Sequence, residues 1–322
     1  MRYGQVAGSS KAVSRVVQGT SVAPVSMQNR DGCFALFDGV FELGITAFDT
    51  AHQYADGDAE RLLGQWMHSR GLREQVYILS KGAHHTQDRR RVTPADITTD
   101  LLDSLARLET DYIDLYVLHR DDPAVPVGPI VEVLNEHYAA GRIRAFGGSN
   151  WTVERLQAAN EYAVQHGLAP FAASSVHLSL AVQLRPPWRD CVTITGSGAE
   201  GARDWYARTQ TPVFAWSSLS GGFCTGRFTR DNLVSFTGEN DRLVIDSYAS
   251  DENFTRLERA QKLAAAKGLT LPQMALAYVL NQPLNIFALI GHQSRHEAEE
   301  TAVACDVTLS AEELDWLNLK RE

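Results

Sequence analysis

The chain is poor in cysteine. Its four, Cys33, Cys191, Cys224 and Cys305, form no CxxC pair and have no histidine close by in sequence. They read as reduced, mostly packed thiols, which argues against a disulfide frame or a zinc site. No apolar run reaches 18 residues, so no transmembrane helix is expected. The opening MRYGQVAGSSKAVSR lacks the continuous apolar stretch of an export signal, and the cytoplasm is the expected compartment. Positive charge is in deficit, with 30 Lys and Arg against 39 Asp and Glu and a net charge of −9. That balance argues against nucleic acid or anionic membrane as the main partner and leaves room for a small anion. No GxGxxG motif follows the first apolar run, which weakens an open nucleotide-binding sheet. His52, His84, His85 and His119 show no HxH or carboxylate-bridged spacing, so no metal is expected.

What is present is the composition of a globular protein, 44% hydrophobic and 21% charged. At 322 residues the chain is long enough to bury a substantial core. Eight short apolar runs read as strands: VVQGT (16–20), ITAFDT (45–50), VYILSK (76–81), IDLYVLH (113–119), IRAFGGS (143–149), FAASSVH (171–177), PVFAWSS (212–218) and IFALIG (286–291). Helical patterns fill the gaps. Leu62, Leu63, Trp66 and Met67 share one face, with Asp58 as the expected N-cap. Thr93 and Pro94 open a helix that turns Ile97, Leu101, Leu105 and Leu108 inward. Thr152 caps another that Gly167 stops, and Gly268 and Pro272 punctuate the last third. The first five strands recur roughly every 30 residues, about one βα unit each. Eight such units fit a (β/α)₈ TIM barrel forming a single domain over residues 1–322. Alternation alone leaves an open doubly wound sheet as the rival. The polar, glycine-containing stretch 219–251 is expected to be a mobile loop over a site.

In a barrel, chemistry sits at the C-terminal ends of the strands. Those ends carry Asp49, Lys81, His119, Ser149 and Asn150, and Tyr54 follows Asp49 in the loop. Each alone has an ordinary explanation, as a cap, a solvated charge or a packed ring. Together on one rim they form a proton-donating device. A phenol with an ordinary pKa near 10 needs help to exchange protons at neutral pH. A lysine beside it is expected to lower that value, with an aspartate holding the lysine charged. The imidazole can donate to an oxygen on which negative charge develops. Such a set suits a carbonyl, and since no side chain delivers hydride, a cofactor is implied.

The segments GITAFDTAHQY, YILSKG, DLYVLHR, GRIRAFGGSNW, FAWSSLSGGFCTGR and ALIG, in that order and across nearly the whole chain, resemble the aldo-keto reductase family. The tryptophan in FAWSS resembles the branch that includes potassium-channel β subunits. The resemblance implies a barrel enzyme that uses NADPH/NADP+ to interconvert a carbonyl or alcohol substrate. It makes Tyr54 the general acid, supported by Lys81 and Asp49, with His119 orienting the carbonyl. It assigns cofactor contacts to Thr20, Ser21, Asp49, Ser149, Asn150, Ser175, Trp216, Ser217, Leu219, Gly221, Arg227, Gly291, Gln293, Glu297, Glu300 and Thr301, with Trp216 stacked on the nicotinamide.

Three departures stand out. Ser175 replaces a glutamine usual on the sixth strand, and Thr301 replaces an asparagine usual near the adenine. Gln293 and Glu297 stand where many members carry a cation or glutamine. A 2′-phosphate wants positive charge, and only Arg295 is obviously near, so NADH is the alternative cofactor. Trp151 and Trp188 are candidates for a substrate wall or for buried anchors. His52 and His177 are candidates for substrate contacts or structural bonds. The rival function is a cofactor-binding, redox-sensing interaction protein, against which the complete Asp49, Tyr54, Lys81 and His119 set counts. Natural substrate and oligomeric state are not legible.

Overall fold

The structure is a computed structural model describing residues 1–322. Eight parallel strands close into a barrel: β1 (Val16–Gly19), β2 (Ala47–Asp49), β3 (Tyr77–Gly82), β4 (Leu115–Leu118), β5 (Phe146–Ser149), β6 (Ala173–Ser175), β7 (Val213–Ala215) and β8 (Ile286–Ile290). Each lies inside one of the apolar runs, except that β3 extends one residue past its run to Gly82. β8 closes the ring by pairing with β1, Leu289 opposite Val17.

Side chains alternate between the two faces of a strand, and here the two faces have different neighbours. Val17, Ala47, Tyr77, Leu79, Leu115, Val117, Phe214, Phe287 and Leu289 fill the barrel interior. Their immediate neighbours in sequence, such as Val16, Phe48, Ile78, Tyr116 and Val213, pack outward against helices. Stepping two residues further along each inward series reaches Asp49, Lys81, His119, Ser149, Ser175 and Trp216. The hydrophobic pattern that fills the barrel therefore also dictates which residues crown it. An N-terminal hairpin (Tyr3–Gly4 with Val13–Ser14) puts Val6 and Val13 into the opposite end.

The helices are α1 (Arg30–Glu42), α2 (Asp58–Arg70), α3 (Pro94–Arg107), α4 (Val127–Ala139), α5 (Val153–Gln165), α6 (Glu200–Thr209), α7 (Glu239–Tyr248), α8 (Asp251–Lys267), α9 (Leu271–Leu280), α10 (Arg295–Ala302) and α11 (Ala311–Leu317). Local sequence explains several ends. Thr93 and Thr152 accept hydrogen bonds from the backbone N–H groups of Asp96 and Arg155, capping α3 and α5. Thr270 and Gln273 form a reciprocal capping box ahead of α9, and Gly268 ends α8 in the left-handed conformation at φ 68°. Trp66 anchors α2, with its ring 5.4 Å from Phe37 and 5.1 Å from Phe48.

Two expectations need correcting. Asp58 is the first residue of α2, not its cap; Gly57 holds that position at φ 88°, and Asp58 pairs with Arg61 instead. The stretch 219–251 is not a loop throughout. It contains 3-10 turns at Ser220–Thr225 and Leu233–Ser235 and then α7, whose buried Ile245 and Tyr248 supply a short apolar face that the polar flanks obscure. No single helix is long and apolar enough to cross a membrane.

Gly147 marks the tightest approach of a glycine to neighbouring backbone in the barrel wall. A Cβ there would meet the carbonyl oxygen of Ala173 on β6 at 2.2 Å. Gly147→Ala should force β5 and β6 apart and destabilise the fold by about 3 kcal/mol, the upper end for overpacking. A lower urea midpoint than wild type checks this.

Candidate active site

Lys81 organises the rim. It is 3% exposed, and its ammonium has one carboxylate and two hydrogen-bond acceptors around it. Nζ lies 2.5 Å from Asp49 Oδ1, and it donates to the Thr50 carbonyl at 3.0 Å and the Tyr54 hydroxyl at 3.1 Å. Asp49 ends β2 and Lys81 lies near the end of the adjacent β3, so pairing of the two strands brings them together. Tyr54 opens a short turn after β2 in which Ala55 and Asp56 take left-handed φ values of 49° and 53°. Those two residues fold the chain back sharply enough to return the phenol to Lys81. His119 follows β4, its ring 5.7 Å from that of Tyr54 and edge-on to it. Its Nδ1 is enclosed without a hydrogen-bond partner.

Electrostatics follow from burial. The Asp49 carboxyl is raised by loss of water, partly offset by Lys81. Burial pulls the Lys81 ammonium down, but the charges of Asp49 and Tyr54 more than reverse this and hold it above its ordinary value. Burial raises the Tyr54 phenol above its ordinary value, and Lys81 offsets only part of the rise. Lys81 thus lowers the phenol as expected, but dehydration outweighs it and the net shift is upward. His119 is held well below its ordinary value by burial and then by Lys81, so it is neutral at pH 7.

Beside this quartet, Ser149 and Ser175 lie level on β5 and β6. The Ser175 hydroxyl is buried with no partner. Asn150, at φ 58°, donates to Ser149 Oγ at 3.2 Å and accepts from the Trp216 indole N–H, also at 3.2 Å. Trp188, 51% exposed, stands 5.9 Å from Trp216. Beyond them, Gly221, Arg227, Gly238, Glu239, Asn240, Asp241, Val244 and Gln293 line a cleft of about 620 Å³. Ser217 and Leu219 are partly buried on the approach to it. An orphaned hydroxyl beside a carboxamide-bearing residue fits the nicotinamide end of a dinucleotide.

The opposite end fits less closely. Arg227 is paired with Asp241 at 3.0 Å. Arg295 is held by Glu42 and by Glu299, turned toward α1. Glu297 accepts from the Gln293 backbone N–H at 2.8 Å, and the Thr301 hydroxyl is engaged by His292 at 2.6 Å. Glu300 offers its carbonyl to Gln273. Thr20 donates to the Asp49 carbonyl, while Ser21 and Gly291 are exposed at the rim. No cation near α10 is free to meet a 2′-phosphate.

Other candidates lie elsewhere. Trp151 is fully buried, 5.0 Å from Phe171, and faces the helix layer as an anchor. His177 is also fully buried, bonded to Thr193, Ser179 and Tyr248. Ser179 in turn accepts from Ser220 at 2.8 Å, so a buried chain ties β6 to the wall of the cleft. His52 faces Asp103 at 3.3 Å. Sequence reasoning missed Arg120, whose signal was a cation directly after His119 in DLYVLHR.

A sequence profile of the Aldo/keto reductase family matches residues 18–321, and the chain belongs to that family. Aldo-keto reductase YhdN of Bacillus subtilis is 27% identical, over 99% of this chain and 93% of its own. The putative aryl-alcohol dehydrogenase AAD14 of Saccharomyces cerevisiae is 25% identical, over 90% and 76%. The solved aldo-keto reductase of Klebsiella pneumoniae in complex with NADPH superposes with a TM-score of 0.73 at 28% identity, covering 99% of this chain and 95% of that one. The family's members use nicotinamide cofactors, and the closed barrel is shared with this neighbour.

Two outcomes follow from the site's electrostatics. Lys81→Met leaves Asp49 buried without its counter-charge and should cost about 3–5 kcal/mol. The double variant with Asp49→Asn should be less destabilised than the sum of the two singles, as a thermodynamic cycle will show. His292, buried between Gln18 and Thr301, has its pKa lowered by burial to about 4. Between the ordinary 6.5 and about 4 the unfolded chain binds a proton that the folded one refuses, so this contribution is intact above 6.5 and declines as pH falls. From pH 7 to pH 5 it should remove about 2 kcal/mol, a slope that His292→Gln should lack in paired denaturant titrations.

Proposed function

We propose that the protein reduces an aldehyde or ketone to an alcohol, or runs the reverse reaction, with NADPH as the preferred nicotinamide cofactor. The observation that carries this reading is the Lys81 ammonium bound at once to Asp49 and to the Tyr54 hydroxyl, with His119 edge-on to the phenol. The nicotinamide, when bound, supplies the hydride that reduces the carbonyl carbon. Tyr54 gives its proton to the carbonyl oxygen, and the phenolate left behind is stabilised by the adjacent Lys81. His119 is neutral, and in the tautomer carrying its proton on Nε2 it donates to the same oxygen as negative charge builds. Asp49 keeps Lys81 charged throughout.

Ser149, Asn150 and Ser175 are the residues we assign to the nicotinamide carboxamide, with Trp216 as the stacking face. Ser217, Leu219, Gly221, Arg227, Gly291 and Gln293 border the path to the adenosine end, and Glu297, Glu300 and Thr301 stand at it. The Klebsiella relative's NADPH supports the phosphorylated cofactor. The acidic surroundings of Arg227 and Arg295 weaken the discrimination against NADH. A cofactor-binding signalling role is the second reading, disfavoured by the intact proton-donating set.

Tyr54→Phe should lower turnover by about 10²- to 10⁴-fold, the range for loss of a positioned acid, while quenching of tryptophan fluorescence by NADPH persists. Unchanged turnover in that variant would sink the mechanism. Tighter quenching by NADH than by NADPH would reassign the cofactor. Because the Tyr54 phenol lies above its ordinary value, the acid needed for reduction is present across neutral pH. The phenolate needed for alcohol oxidation grows only as pH rises. Oxidation rates should therefore climb from pH 7 to pH 10 while reduction rates stay level, a contrast read directly from two pH–rate profiles.

A further inference from the structure

Arg120 is a charge at the rim that the structure leaves unbalanced. It follows His119 at the end of β4 and is 6% exposed. Nη1 donates to the His119 carbonyl at 2.8 Å, and Nε is enclosed with no partner. It forms no salt bridge, although the arginines around it all do. Arg89 is paired with Asp96, Arg90 with Asp122 and Asp190, Arg91 with Asp100, and Arg155 with Asp121. The neighbouring carboxylates are thus already committed. A guanidinium cannot shed its proton to escape burial, and an unpaired buried charge is unfavourable.

Its position ties it to the site. The same His119 carbonyl receives Asn150 Nδ2 at 3.4 Å, which places the guanidinium beside Asn150. The Trp151 indole N–H donates to the Arg120 carbonyl at 3.4 Å and braces the turn. The remaining ionisable groups on this side do not balance the charge. His84, whose ring lies 4.8 Å from that of His119, has its pKa lowered to about 4 by burial, and His85 is lowered too. Asp49 is committed to Lys81. The inner rim therefore carries one uncompensated positive charge next to the proton donor.

We propose that Arg120 pairs with a carboxylate on the substrate itself, so that the protein acts on carbonyl compounds that are also acids. The inference rests on the reductase reading above and adds the substrate class to it. Nη2 makes no hydrogen bond within the protein and, unlike Nε, is not enclosed, so it is the guanidinium nitrogen left to meet a carboxylate. Arg120 is a substrate-binding residue; the proton chemistry stays with Tyr54.

The test compares acids with neutral twins: succinic semialdehyde against butanal, and 4-carboxybenzaldehyde against its methyl ester. Wild-type protein with NADPH should favour at least one acid over its twin by tenfold or more in kcat/KM. Arg120→Met should lower kcat/KM for that acid at least tenfold, mainly through KM, and leave the neutral twin within threefold. Arg120→Lys should recover part of the loss. The melting temperature of Arg120→Met should equal or exceed that of wild type, because an unpaired buried charge has been removed; a marked fall would assign the residue a structural role and overturn the proposal. Equal use of acid and neutral substrates by wild type would also overturn it while leaving the reductase reading in place. A binding arm separates the two further. With NADP+ present, 4-methylbenzoate should bind wild type at least tenfold tighter than Arg120→Met, and 4-methylbenzamide should bind both alike. That pattern without turnover of any aldehyde would keep the carboxylate site and remove the reductase reading.

Discussion

An ammonium group taken out of water must find a counter-charge and hydrogen-bond acceptors, and Lys81 finds the first in Asp49 and the second in Thr50 and Tyr54. The rest of the rim is arranged around that requirement. The period of two along β2 and β3 makes Asp49 and Lys81 the next inward positions after apolar layers. The left-handed pair Ala55 and Asp56 returns Tyr54 to them. Burial, and then the Lys81 charge, hold His119 neutral, which suits a hydrogen-bond donor better than a competing acid.

Much of this was legible from residue order. The eight apolar runs all became strands because their alternation satisfies a barrel that is apolar within and covered by helices without. The polar terminators of those runs could be placed on one rim by counting alone. Caps such as Thr93, Thr152 and Thr270 were equally readable, since their hydroxyls act on backbone only three residues away.

What was not legible depends on long-range environment. The upward shift of Tyr54 arises from dehydration by segments remote in sequence, which the adjacent lysine does not reveal. The burial of Trp151 against Phe171 depends on how α5 and the strand before β6 meet. Helix α7 was hidden because its apolar face is short and lies between polar stretches. Arg120 escaped notice because an arginine after a strand is ordinarily solvated. Only burial without a carboxylate distinguishes this one from its paired neighbours.

The buried chain from Ser220 through Ser179 and His177 to Tyr248 bears on how the wall of the cleft is held. It fastens both ends of the 220–248 segment to the same point beside β6. Between those ends Phe228 is buried and Arg230 is paired with Asp251 and Glu258, so the wall of the cleft is held along its length as well as at its base. The Arg227–Asp241 ion pair lies at its solvent-exposed rim. A surface pair of that kind weakens with salt, whereas the hydroxyl and imidazole links at the base are shielded from solvent, so ionic strength acts on the rim of the cleft and not on its foundation.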